Sequence, residues 1–330
     1  MTVRPNRPLI VRAVCAALAL SVLAACGSTS AKTPHSSDPL ILDNCGTKVE
    51  IDSAPERVVT IKSTSTEMML ALGLGDRIVG QAFADGPVPE RWAKAAEGVP
   101  TISEQVPSRE ALLDLDPDLI YAGWESNVSA EGAGDRGQWH ALGVQTYVSP
   151  AACQDTPYQP EPMTFDELFD EIAQVGAIFD VQDAAESLIA EQRAALAGVD
   201  ALDPGTTALW YSSGDATPYV GAGIGTPQMI MDVLGLENVA GDIDKAWSSL
   251  GWEAIVDADP DVIILVDATW NPAELKVAHL ESNPATRRLR AVRESRYLTI
   301  DFASSEAGVR TVPATVDLAE QLRRLEVSDQ

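Results

Sequence analysis

The chain has 330 residues, 45% of them hydrophobic, enough apolar material for one large or two ordinary globular domains and too much for a disordered acidic tail. Against 23 Lys and Arg stand 49 Asp and Glu, a formal charge of −26; a surface that acidic repels phosphate backbones and anionic headgroups, which excludes non-specific nucleic-acid binding. The three histidines, His35, His140 and His279, share no ligand-type spacing, which argues against an imidazole metal site.

In chain order, Arg4, Arg7 and Arg12 precede an apolar run from Ala13 to Leu23. That run is far short of the ~20 residues needed to span a bilayer, so residues 1–25 are expected to be a secretory signal. Losing its three positive charges would take the net charge from −26 to −29. The run ends in Leu23-Ala24-Ala25-Cys26, which resembles the lipobox of bacterial lipoproteins, in which the Cys thiol takes a diacylglycerol and becomes the first residue. Residues 26–40, the lipidated Cys26 and a stretch dominated by Ser, Thr, Pro, Gly and Ala, are expected to tether a folded body to the outer face of the bacterial cytoplasmic membrane. Cys15 leaves with the signal, so Cys45 and Cys153 remain. In an oxidising compartment this even pair is expected to form a disulfide, the alternative being two buried thiols.

Past residue 40 short apolar runs alternate with amphipathic stretches. Arg57–Ile61, Arg77–Gly80, Leu119–Ala122 and Thr146–Val148 read as buried parallel strands, with helices over Thr66–Leu72 and Ser108–Leu115. The middle of the chain, Met163 to Leu202, is nearly free of Gly and Pro and predicts a helix to about Phe179 and another from Gln182 to Val199. The first grammar then returns in Ala208–Tyr211, Val262–Val266 and Tyr297–Ile300. It returns in letters too: Glu110-Ala-Leu-Leu-Asp-Leu-Asp-Pro-Asp-Leu-Ile120 is echoed by Glu253-Ala-Ile-Val-Asp-Ala-Asp-Pro-Asp-Val-Ile263. The expected fold is therefore α/β: two similar lobes with mostly parallel central sheets, residues 41–180 and 203–330, joined by one long rigid helix over 181–202, with a ligand cleft between them.

Several motifs resemble chemistry and fail on detail. Asp114-x-Asp116-x-Asp118 with Glu125 has the spacing of a calcium loop, but Leu119 stands where that loop needs Gly, and the repeat at Asp257 ends in Ala268. Gly221-Ala-Gly-Ile-Gly225 lacks the following Lys-Ser/Thr of a phosphate loop and reads as a tight turn near the cleft. No nucleophile elbow, zinc-protease motif or Cys–His site is present. The expectation is a protein that is not an enzyme and has no cofactor or metal.

Ligands of parallel α/β sheets bind beyond the carboxyl ends of the strands. Those ends carry Lys62, Ser63 and Thr64, Phe83 and Trp124 in the first lobe, and Tyr211, Trp270 and the stretch from Asp301 to Arg310 in the second; Trp247 lies in a polar stretch where a core Trp would be odd. Large rings together with Lys62 and Arg310 would suit a bulky, partly aromatic, anionic small molecule held between the lobes.

Lipobox, tether, Arg57–Ile61 followed by Thr66-Glu67, the paired Asp-Pro-Asp segments and the connecting helix together resemble the solute-binding proteins of ABC importers, in the siderophore/cobalamin class. The resemblance covers residues 41 to 325. It implies a permease dimer and its ATPase as partners, and docking onto permease arginines by one Glu per lobe, here Glu110 and Glu253. It also places Phe83, Tyr211, Trp247 and Arg310 among pocket positions. Ser103 and Glu104 stand where the cobalamin branch has a pocket Trp. The stretches Lys62–Glu67, Ala122–Ser126, Ser149–Cys153 and Trp210–Gly214 look most like a branch assigned to a precursor of the deazaflavin coenzyme, with a ferric siderophore or cobalamin as the alternative ligand within the same class. An extracytoplasmic chelatase on a similar frame is a more distant alternative, and would need a base or metal constellation in the cleft.

Overall fold

The first folded element is an antiparallel hairpin of β1 (Leu40–Asn44) and β2 (Thr47–Ile51), turned at Cys45-Gly46. The computed structural model describes residues 38–159, 161–202 and 205–328; the signal and Cys26 lie outside them. The hairpin begins where the sequence placed the end of the tether, and its alternation turns Val49 and Ile51 inward.

The first sheet follows as β3 (Val58–Ile61), α1 (Ser63–Ala71), β4 (Ile78–Ala82), α2 (Glu90–Ala93), β5 (Thr101–Ser103), α3 (Arg109–Leu113), β6 (Leu119–Ala122), α4 (Arg136–His140) and β7 (Gln145–Val148). Its five strands are all parallel, in the order β5-β4-β3-β6-β7. β3 and β6 are buried along their whole length, which is why they carry unbroken apolar runs rather than alternation.

Two helices then run back to back. α5 (Phe165–Ile178) starts on a capping box, the Thr164 Oγ1 accepting from the Glu167 N–H while the Glu167 carboxylate takes the Thr164 N–H. α6 (Gln182–Leu196) lies within the predicted 181–202 and ends three residues before the expected Val199. Between them Asp180 turns the chain in the left-handed region at φ 57°. Gly176 is required where the two helices touch, because a Cβ there would collide with the Ala185 methyl.

The second sheet is built from β8 (Thr206–Ser213), β9 (Tyr219–Gly221), α7 (Thr226–Leu234), β10 (Leu236–Asn238), β11 (Trp247–Ser249), α8 (Trp252–Ala258), β12 (Val262–Asp267), α9 (Ala273–Ser282), α10 (Arg290–Arg293) and β13 (Tyr297–Asp301), closed by α11 (Thr311–Ser328). Its order is β11-β9-β8-β12-β13 with β10 beside the start of β8. β10, β8, β12 and β13 are parallel, whereas β9 pairs antiparallel with both β8 and β11.

The repeated letters have a repeated task. Asp118 enters β6 and its carboxylate accepts the backbone N–H groups of Glu56 and Arg57 at the start of β3. Asp261 enters β12 and accepts the N–H and hydroxyl of Thr207 at the start of β8. Two residues earlier, Asp116 in the turn after α3 and Asp259 at the C-cap of α8 reverse the chain with φ of 46° and 41°. The acidic run that mimics a calcium loop is thus a strand entry, and among the described residues no group of three or more His, Cys, Asp or Glu could hold a metal ion. Residues of both sheets, among them Leu119 and Ile264, share one apolar cluster with Ile172 and Val175 of α5.

Candidate functional site

The carboxyl ends of β3, β6 and β7 in the first sheet and of β8, β12 and β13 in the second meet at one cavity of about 1020 Å³. Its walls come from the end of β8 and the residues that follow β6, β7, β12 and β13, among them Ser213, Trp124, Ser149, Trp270 and Phe302. The antiparallel β9–β11 pair adds a face of its own: Tyr219 stacks on Trp247 with centroids 6.0 Å apart and planes within 13°. Gly221–Gly225 is a tight turn beside this face, where a Cβ on Gly223 would run into the Gly241 carbonyl.

Of the nine residues expected to meet a ligand, Thr64, Trp124, Trp247 and Trp270 line the cavity. Trp270 is 62% exposed and packs edge-on to Phe302 at 5.8 Å. Thr64, near the start of α1, has a buried hydroxyl without a hydrogen-bond partner. The other five lie outside the lining. Tyr211 sits in the core of the second sheet, packed on Trp252 with its hydroxyl donating to the Gly214 carbonyl. Phe83 stands behind Trp124, edge to face at 5.8 Å. Ser63 is buried and its hydroxyl accepts the Asp85 N–H.

Lys62 and Arg310, the two cations expected to hold an anion, are both committed to protein carboxylates. Lys62 leaves β3 at φ 88°, a conformation unusual for a side-chain-bearing residue. Its ammonium is paired with Asp85, stands 3.8 Å from Glu306, and lies over the Trp124 ring at 3.6 Å. Arg310, from the second sheet's side, forks onto both oxygens of Glu67 in α1 and donates to the Pro87 carbonyl at 2.9 Å. Burial raises Glu67 above the ordinary carboxylate range against the pull of Arg310. A like arrangement surrounds Glu306, whose two oxygens accept the Trp124 indole N–H at 2.9 and 3.0 Å. Burial pushes Glu306 up to about 7; Lys62 lowers it, Asp85 raises it and the indole bond lowers it. One short segment, Phe302 to Arg310, therefore both walls the cavity and grips the first sheet's side.

Glu306 and Tyr219 were not singled out in the sequence. Glu306 lies within the flagged stretch after β13, but its partner Trp124 is 182 positions away and Lys62 farther still; Tyr219 follows Pro218 in a segment too short to show alternation.

Glu110 and Glu253 are exposed in the first turns of α3 and α8, the helices that lead into β6 and β12. Cys45 and Cys153 are bonded to each other, joining the hairpin turn to the cavity wall, with Cα atoms 5.3 Å apart.

Residues 58–303 match the model of the periplasmic binding protein family. The chain belongs to that family. Over 319 residues it is 24% identical to the uncharacterized ABC transporter substrate-binding lipoprotein YvrC of Bacillus subtilis, covering 92% of this chain and 94% of that one. A periplasmic binding protein from Veillonella parvula superposes with a TM-score of 0.76 at 26% identity, over 86% of this chain and 97% of that one. An ABC-type Fe3+-hydroxamate transport system protein from Saccharomonospora viridis superposes with a TM-score of 0.73 at 26% identity, over 86% and 99%. The family is one of solute-binding proteins, and the chain is not an enzyme.

Proposed function

We propose that the protein is the lipid-anchored binding component of an ABC importer, held at the outer face of the membrane through Cys26, that captures a bulky ring-bearing solute and delivers it to a permease dimer driven by its ATPase. The observation that carries this reading is the cavity itself, which has the upper-end volume of a small-molecule site and is faced by Trp124, Trp247, Trp270, Tyr219 and Phe302. Flat π surfaces at several angles suit a ligand with a planar ring system. A deazaflavin coenzyme precursor is the favoured solute and fits by its ring. Its negatively charged tail is left to Lys245, the one cation in the lining among the described residues, since Lys62 and Arg310 are neutralised within the protein. A ferric siderophore is the second reading, favoured by the likeness to the Fe3+-hydroxamate structure.

Equilibrium dialysis of the purified protein against a deazaflavin precursor, a ferric siderophore panel and cobalamin tests this. One class should be retained at one equivalent per chain, and Trp247→Ala should release it. Retention of none, or retention that Trp247→Ala leaves intact, would overturn the reading. For the anchor, labelled fatty acid should enter the wild-type protein and not Cys26→Ser.

A further inference from the structure

We propose that Glu306 selects the solute by its hydrogen-bonding edge: its carboxyl group receives the N–H donor edge of a planar ring at the inner wall of the cavity, leaving any anionic part of the solute to face Lys245 at the mouth. This rests on the cavity being the solute site, as proposed above.

A carboxylate offers about four acceptor positions. Among the described residues the one donor within hydrogen-bonding distance of the Glu306 carboxylate is the Trp124 indole, with the Lys62 ammonium at 3.8 Å; the Thr311 hydroxyl donates to the Glu306 backbone carbonyl instead. Acceptor capacity is left over in a side chain 14% exposed that lines the cavity. An anion brought to the same place would meet like charge, because Glu306 and Asp85 share the single ammonium of Lys62. Besides Glu306, the charged lining is Glu161, Asp244 and Lys245, and Lys245 is exposed. The inner wall therefore offers acceptors, and at the rim Lys245 stands as a cation beside the exposed carboxylates of Asp244 and Glu161. The edge-on packing of Phe83 holds the Trp124 ring, so that the indole fixes the carboxyl group.

The arrangement also carries a pH dependence. Facing Glu306 are Lys62, Asp85 and Trp124, with the Glu67–Arg310 pair and Asp301 in the neighbouring layer. A donor edge prefers the ionised carboxylate, so its affinity should rise as pH passes through about 7.

The test reads the Trp124 indole N–H resonance of the purified 15N-labelled protein, assigned with Trp124→Phe. Methylguanidinium, a planar N–H donor, and sodium phosphate are titrated separately at equal ionic strength. Methylguanidinium should move the resonance saturably and phosphate should not, and Glu306→Gln should weaken the methylguanidinium effect at least tenfold. A saturable shift by phosphate, no shift by methylguanidinium, or an unchanged response in Glu306→Gln would overturn the proposal. The two-probe comparison decides on the wild type alone, so a variant that fails to fold does not rescue it. No physiological solute enters the assay, so its outcome is separate from the dialysis result.

Discussion

Replacing Glu67 by Gln should cost the protein more stability than any single surface change. Glu67 and Arg310 are 2% and 11% exposed, 243 positions apart, and meet through a two-pronged pair across the two sheets' sides. Glu67→Gln keeps the shape of α1 but leaves a largely buried guanidinium without its counter-charge, with a single neutral amide oxygen and the Pro87 carbonyl as acceptors and an NH2 donor facing one of its N–H groups. Breaking one side of a buried pair costs on the order of 3–5 kcal/mol. For the roughly 290 residues of the folded unit, an unfolding entropy of ~2.1 cal/mol/K per residue gives about 0.6 kcal/mol/K, so the melting temperature should fall by about 5–8 °C. Scanning calorimetry at pH 7.5 measures this. The double variant Glu67→Met/Arg310→Met should recover most of the loss, because two apolar side chains of similar size leave no unpaired charge. A fall below about 2 °C for Glu67→Gln, or a double variant as unstable as the single, would refute the claim that this pair is a buried clasp.

Glu171 on α5 is buried, accepts from the Tyr121 and Ser149 hydroxyls, and is pushed up to about 7 by burial against those two bonds. A carboxyl group raised in the folded state favours folding below its unfolded value of 4.5 and loses that contribution as pH rises through about 7. Glu171→Gln should therefore be more stable than wild type at pH 8, by up to ~3 kcal/mol, with the gain gone below pH 4.5; denaturant melts across pH check it, and a gain equal at all pH values would contradict it. Cys45→Ser/Cys153→Ser opens a loop of 108 positions and should cost about 5 kcal/mol in the chain-entropy model; two titratable thiols in the native wild-type protein would count against the bond. Glu110→Ala/Glu253→Ala should abolish uptake with solute affinity unchanged, and normal uptake would end the docking assignment.

The parallel strands were legible because burial on both faces writes continuous apolar runs, as in Val262–Val266. The lobe repeat was legible because Asp118 and Asp261 perform the same backbone-holding task in each sheet. Two kinds of feature were not legible. Three-residue strands such as β9 and β11 are too short to show a period, which hid the Tyr219–Trp247 face. Charge pairing was also hidden: Lys62 and Arg310 look like free cations in the chain, and only the fold brings Asp85, Glu306 and Glu67 to them. The spacing identified the strand ends at the cavity without telling which side chain at each end turns outward.

The most direct test of the account is where a bound solute sits. The seven tryptophans divide into Trp124, Trp247 and Trp270 on the cavity and four elsewhere. Fluorescence of the wild type should be quenched saturably by one solute of the panel, and the Trp124→Phe/Trp247→Phe/Trp270→Phe variant should lose most of that quenching. Quenching that survives the triple substitution would place the solute elsewhere and contradict the cavity as the binding site.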